Sequence, residues 1–299
     1  MKYHFFDYKY NIQGFDSDLF SPWHIAFIVF AFIFIPFLAY LLRKTDRKKI
    51  DIFLKVLSVF VVLLEISKII WESYYDIKTG RGFNAGGILP FYSCDLLIFC
   101  LLFAAWGKGK AKDVALSWLC TVGICCGVIG TIYTNGLNWY PFWTYGAWDS
   151  ILFHFNLFMV GVVLLANGYK KLEWKDIFRA WIPMLLLAII AIPSNYEYGG
   201  DYMQIHSADG VPLMSSLAEL LAKHHLRPVF TFIMLSSYLL LAAAVFGIYK
   251  LVGYIHLRIS EKMISHAKAM DEIIVPELLA ANDRYETEMS EEAERNTQE

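Results

Sequence analysis

Seven apolar segments, each close to the length that crosses a bilayer, constrain what this chain of 299 residues can fold into. They run roughly Trp23 to Leu42, Ile52 to Tyr75, Gly87 to Trp106, Val114 to Tyr133, Trp148 to Asn167, Ile177 to Ser194 and Pro228 to His256. A span needs about 20 predominantly apolar residues. With 57% hydrophobic residues and a mean hydropathy of +0.45, the chain carries too much apolar surface for one soluble core. The segments lack strand-like alternation, so each is expected as a helix that satisfies its own backbone. The expected fold class is all-α: a polytopic membrane bundle of seven helices.

The formal net charge of −2 conceals a segregation. Arg43, Lys44, Arg47, Lys48 and Lys49 fill the first loop, Lys108, Lys110 and Lys112 the third, and Lys170, Lys171 and Lys175 the fifth. The fourth loop, Thr134 to Ala147, has neither lysine nor arginine. By the positive-inside rule the odd loops face the cytoplasm, with the N-terminus outside and the C-terminus inside a cell membrane. Three regions follow: an aromatic interfacial segment, 1–22, a transmembrane domain, 23–256, and a cytoplasmic part, 257–299, made of an amphipathic helix and an acidic disordered tail. Residues 1–22 lack the basic and apolar halves of a cleavable signal peptide. All five cysteines lie inside apolar segments, which argues against a disulfide framework.

Ionisable groups inside apolar segments are costly and mark candidate sites. Glu65, Lys68 and Glu72 recur at i, i+3 and i+7 on one helix face. They form either a structural ion pair or the polar wall of a site. In the third segment Cys94 and Asp95 stand side by side; at about 1.5 Å per helical residue, Cys94 falls about 10 Å from Gly87. His154 lies about 9 Å into the fifth segment by the same measure. It reads either as a structural histidine or as a functional one, with Asn156 nearby. Asn195 and Asp201 close the sixth segment. Gly123, Gly127 and Gly130 suit close helix packing. The turn Lys78 to Gly87 lacks the spacing and terminal Lys-Ser/Thr of a phosphate-binding loop, and the adjacent His224 and His225 project apart on a helix, so no nucleotide, nucleic acid, metal or other cofactor is expected.

Under the expected topology Glu72, Cys94, His154 and Asn195 fall in the outer half of the membrane on four helices. A cysteine with a histidine base, oriented by an amide, is a nucleophilic set, and lipid ester carbonyls lie at that depth. Leu-Pro-x-x-x-Cys-Asp at Leu89 to Asp95, His154 in the fifth segment, and Asn195-Tyr followed by Asp201-Tyr-Met resemble the YwaF-type bacterial integral membrane proteins and the related transmembrane protein 164 family, over roughly Ile52 to Lys250. The resemblance implies a phospholipid acyltransferase with a cysteine and a histidine at its centre, by motif Cys94 and His154. This chain reads Pro-Phe-Tyr-Ser-Cys where the family commonly has Pro-Leu-His-Leu-Cys, so His154 is left to act as base without that second histidine.

The expectation is a membrane acyltransferase or transacylase acting on phospholipid or lysophospholipid. Cys94 is its nucleophile, His154 its base, and Asn195 orients the imidazole or stabilises the oxyanion. Glu65, Lys68, Glu72, Asp95 and Asp201 bind substrate or tune charge. Two alternatives stand beside it: a transporter whose Glu65, Lys68, Asp95 and His154 line a proton or substrate path, and a scaffold whose tail recruits a cytoplasmic partner.

Overall fold

The computed structural model describes residues 3–12, 14–208 and 212–297, and its regular structure among these is entirely helical. The helices in chain order are α1 (Pro22–Leu42), α2 (Arg47–Lys78), α3 (Ala85–Ile88), α4 (Leu96–Trp106), α5 (Gly109–Leu119), α6 (Val122–Ile132), α7 (Tyr145–Ala166), α8 (Lys175–Tyr198), α9 (Pro212–Lys223) and α10 (Arg227–Thr297). The chain divides into two units, Met1–Phe246 and Gly247–Glu299. Among the described residues, five stretches are long and apolar enough to cross a membrane: Pro22–Leu42, Gly109–Asn138, Tyr145–Ala166, Lys175–Tyr198 and Arg227–Ser265. Exposed apolar side chains cover Pro22–Leu42, Lys175–Tyr198 and Arg227–Ser265, as lipid contact requires, whereas Gly109–Asn138 and Tyr145–Ala166 are mostly buried.

The other two expected spans differ for physical reasons. α2 is long, but Lys55, Glu65, Lys68 and Glu72 interrupt its apolar character. The third expected span is not one helix. α3 ends at Leu89, whose φ of −70° and ψ of 145° are the extended conformation that a following proline imposes, and regular helix resumes only at Leu96. Pro90 therefore ends a helix here, and a depth for Cys94 counted by helical rise from Gly87 does not apply. A smaller interruption at Cys120 and Thr121 separates α5 from α6. There the Thr121 hydroxyl donates to the Ser117 carbonyl and the Ser117 hydroxyl to the Asp113 carbonyl, the back-bonding that bends helices.

The most extensive helix pairing is α6 with α7. A Cβ on Gly127 would lie 2.3 Å from the Phe158 nitrogen, and one on Gly161 would lie 2.4 Å from Cγ1 of Ile124, so glycine permits this approach. The aromatic N-terminal segment is built into the same unit. Tyr8 is 1% exposed, packs with Leu137, Tyr140, Phe142 and Ile151, and stacks on Tyr75 at 5.2 Å. Its hydroxyl donates to Asp76 at 3.1 Å. Burial first, then the carboxylates of Glu72 and Asp76, push the Tyr8 phenol well above its ordinary range, so it stays a proton donor at neutral pH. The Phe5 carbonyl accepts from the Tyr145 N–H at 2.6 Å, and Asp18 accepts from the Phe142 N–H at 2.7 Å. A 3-10 turn, Lys9–Asn11, is the segment's regular structure. α10 continues through residues 257–297, across the stretch whose composition suggests a disordered tail.

At the end of the bundle that carries the lysine-rich loops, the fully buried Asp176 accepts from Lys170 at 2.9 Å, the Glu173 N–H at 2.7 Å and Arg179 at 3.0 Å, and lies 2.8 Å from the Ser117 hydroxyl, whose single proton it shares with the Asp113 carbonyl. Lys170 also pairs with Asp113, so the knot ties α5 to the start of α8. Removing Asp176 leaves the buried Lys170 ammonium with only the more exposed Asp113. Asp176→Ala is expected to destabilise the protein by about 3–5 kcal/mol, read as a fall in the thermal unfolding midpoint, and Lys170→Met/Asp176→Leu to recover most of it. Equal midpoints for the double and single variants would show that the ion pair is not the source of the loss.

Candidate functional site

The candidate site forms around the interruption between α3 and α4. Asp95 is the N-cap of α4, and Cys94 stands immediately before it. Asp95 is 3% exposed; one oxygen accepts the Tyr92 N–H at 2.8 Å and the other faces the Cys94 thiol at 3.8 Å. The adjacent Cys94 and Asp95 of the sequence are thus a contacting pair. Cys94 itself is half-buried, whereas Cys100 and Cys120 are buried in the core.

On α2, Lys68 pairs with the buried Glu65 at 3.0 Å, as the i, i+3 spacing anticipates. Asp95, Asp149 and Glu72 also lie within Coulombic range of Lys68. Asp149, near the start of α7, is 8% exposed, and its Oδ1 has no hydrogen-bond partner among the described residues. Four carboxylates from α2, the α3–α4 loop and α7 therefore lie within Coulombic range of one lysine, Glu65 in direct contact with it. Asp149 is not among the candidate residues that stand out in the sequence. Its signal was present, an acidic side chain just inside an apolar segment, but Trp148 beside it made the pair look like an ordinary membrane rim.

His154 is half-buried on α7, and its Nδ1 lies 2.8 Å from the Ser150 carbonyl. A carbonyl only accepts, so Nδ1 carries the proton and Nε2 keeps its lone pair. The ring lies against Gly130 of α6, where a Cβ would come within 1.8 Å of Cδ2. No hydrogen bond joins His154 to Cys94 among the described residues. Both nevertheless use α6: Cys126 is within Coulombic range of Cys94, and Gly130, which backs His154, is four residues further along the same helix face.

Asn195 and Asp201 are engaged elsewhere. Asn195 is 3% exposed; its carbonyl accepts the Tyr202 N–H at 2.6 Å and its amide donates to the Tyr202 carbonyl at 3.0 Å. Its polar atoms thus hold a backbone rather than the imidazole. Asp201 accepts from the His206 N–H at 2.9 Å and the Ser207 hydroxyl at 2.9 Å, shaping the turn after α8. Asn156 turns back to the Leu152 carbonyl at 2.7 Å.

The sequence profile of the TMEM164 family matches residues 19–250. No curated protein and no solved structure matches the chain.

Proposed function

Because the chain belongs to the TMEM164 family, we propose that it is a membrane-embedded acyltransferase or transacylase that moves a fatty acyl group from a phospholipid ester through a thioester on Cys94. The carrying observation is a half-buried thiol in contact with Asp95 at an irregular break just before the N-terminus of an apolar helix. Backbone outside regular helix is tolerated at membrane depth where protein or a wet cavity satisfies it, which suits a site that admits a lipid headgroup.

In the proposed reaction the Cys94 thiol gives its proton to Nε2 of His154, and the sulfur attacks the ester carbonyl. The carbon–sulfur bond forms, the carbon–oxygen bond to the glycerol breaks, and the departing lysolipid oxygen takes the proton from His154. A second lysolipid hydroxyl then attacks the thioester, its proton passes through His154 to the leaving thiolate, and free Cys94 is restored. Water in place of that hydroxyl makes the reaction a hydrolysis. The partial positive charge at the N-terminus of α4 is available to the tetrahedral oxyanion, and Glu65, Lys68, Glu72, Asp95 and Asp149 set the local field. The reading includes the topology expected from loop charge: seven crossings of the cell membrane, N-terminus outside, C-terminus cytoplasmic.

The test is the intact mass of the protein after exposure to membrane phospholipid. A fatty-acyl increment that hydroxylamine removes, and that Cys94→Ala lacks, is the expected result. An increment that persists in Cys94→Ala would exclude this nucleophile. The Asp149 Oδ1, without a hydrogen-bond partner among the described residues and within Coulombic range of Lys68, favours a second reading, a proton or substrate path through Glu65, Lys68, Asp95 and His154. Cys94→Ser separates the two, since a transporter keeps its flux with so small a change while a thiol enzyme loses turnover.

A further inference from the structure

α8 ends where Gly199 adopts φ 66° and ψ 24°, the left-handed conformation that lets a glycine close a helix. The chain then crosses the α3 segment in very close contact. A Cβ on Gly200 would lie 2.4 Å from the Gly86 carbonyl oxygen, and one on Gly86 would lie 2.5 Å from the Tyr198 carbonyl oxygen. Two residues after Gly200, Tyr202 is fully buried, and Asn195 holds its N–H and its carbonyl at once. The Tyr202 hydroxyl in turn accepts the Leu89 N–H at 3.1 Å and donates to the Ala85 carbonyl. Its ring meets Phe91 at 5.3 Å and Tyr92 at 5.0 Å, both edge to face.

These contacts bracket the irregular backbone that leads to Cys94. Residues 89–95 lack a continuous helical ladder; a turn closed by the Asp95 N–H on the Tyr92 carbonyl at 3.0 Å holds Cys94 from the α4 side, and the contacts of Tyr202 restrain the segment from outside. Tyr202 holds its beginning by hydrogen bonds and its middle by ring packing, and Tyr92 passes the restraint to Asp95 and hence to the thiol. Met203 is itself fixed by the Tyr238 hydroxyl, which donates to its carbonyl at 3.4 Å. We infer that Asn195 and Tyr202 form a positioning latch that sets the place of the Cys94 sulfur, acting through the 85–95 segment and not on the substrate. The inference rests on the thiol reading for its catalytic consequence, but the latch itself is a statement about where Cys94 is held.

Tyr202→Phe is the deciding variant, because it keeps the ring contacts and removes only the hydroxyl. The full chain in lipid nanodiscs is treated with iodoacetamide, and labelling rates at Cys94 and, as an internal reference, Cys120 are read by peptide mass spectrometry. Faster labelling at Cys94 with an unchanged rate at Cys120 is expected. Lipid turnover should fall about 10- to 100-fold in kcat with little change in KM, the scale on which a misplacement of about 1 Å acts. Asn195→Asp keeps the acceptor for the Tyr202 N–H and loses the donor, so it should fall between wild type and Tyr202→Phe. Unchanged labelling at Cys94 in Tyr202→Phe, or equal acceleration at both cysteines, would overturn the latch. If the labelling change appears while Cys94→Ala retains full turnover, the latch stands and the thiol mechanism falls.

Discussion

Cys94→Ala is expected to lower phospholipid acyl turnover by on the order of 10⁴-fold or more, because a covalent route cannot proceed without its nucleophile. The variant should fold normally: the side chain is half-buried, and its one described polar contact is a weak one to Asp95 at 3.8 Å. His154→Ala should lose nearly as much, and the double variant little more than either single one, since residues that act as a unit are not additive. The assay is transfer of a labelled acyl chain between defined lipids in proteoliposomes. Losses that multiply in the double variant would mean that the two residues act in separate steps or separate places. That outcome matters because no hydrogen bond joins them among the described residues, and the proposed proton transfer requires them to meet when substrate is bound.

The second large effect is expected from one methyl group. In Gly130→Ala the new Cβ would overlap the His154 ring at 1.8 Å, so the imidazole must leave its place. Turnover should fall about 100-fold, in line with the sensitivity of catalysis to small displacements, while the unfolding midpoint moves little because a side chain can rotate away. Gly127→Ala makes the contrast. Its Cβ would meet the Phe158 backbone at 2.3 Å and the Phe158 Cα at 2.7 Å, atoms that cannot yield without separating α6 from α7. That variant should lose stability first, by about 1–3 kcal/mol as overpacked cores do, and activity as a consequence. Wild-type turnover in Gly130→Ala would show that the His154 ring does not act from its place against Gly130.

The comparison of these two glycines also shows what the sequence makes legible. Spacings of four and three at Gly123, Gly127 and Gly130 identify a packing face without a structure, because the helix period alone sets which residues share a side. The pairing of Glu65 with Lys68 follows from the same period. Depth counted along the third segment fails because it assumes a continuous helix, and whether Pro90 opens a helix or stops one depends on the conformation of Leu89, which is not encoded by hydropathy. The partner of Asn195 was equally hidden. The string Asn195-Tyr and the string Asp201-Tyr-Met look like two separate marks, yet the first residue of one grips the backbone of the Tyr in the other, a relation that needs the turn at Gly199 to be seen. Asp149 escaped because a carboxylate at the edge of an apolar run has the same sequence appearance whether it is exposed to water or buried within Coulombic range of a lysine.

The shortness of α4 has one more consequence. Its 11 residues extend about 16 Å at 1.5 Å per residue, roughly half of a typical 30 Å hydrocarbon layer. The distance from the Trp106 end of α4 to the thiol is therefore a fixed ruler made of protein, whereas the distance from a bilayer surface to its ester carbonyls belongs to the lipids. In the proposed enzyme the match between the two varies with hydrophobic thickness, so the acyl composition of the surrounding membrane would itself govern how readily its lipids are presented to Cys94.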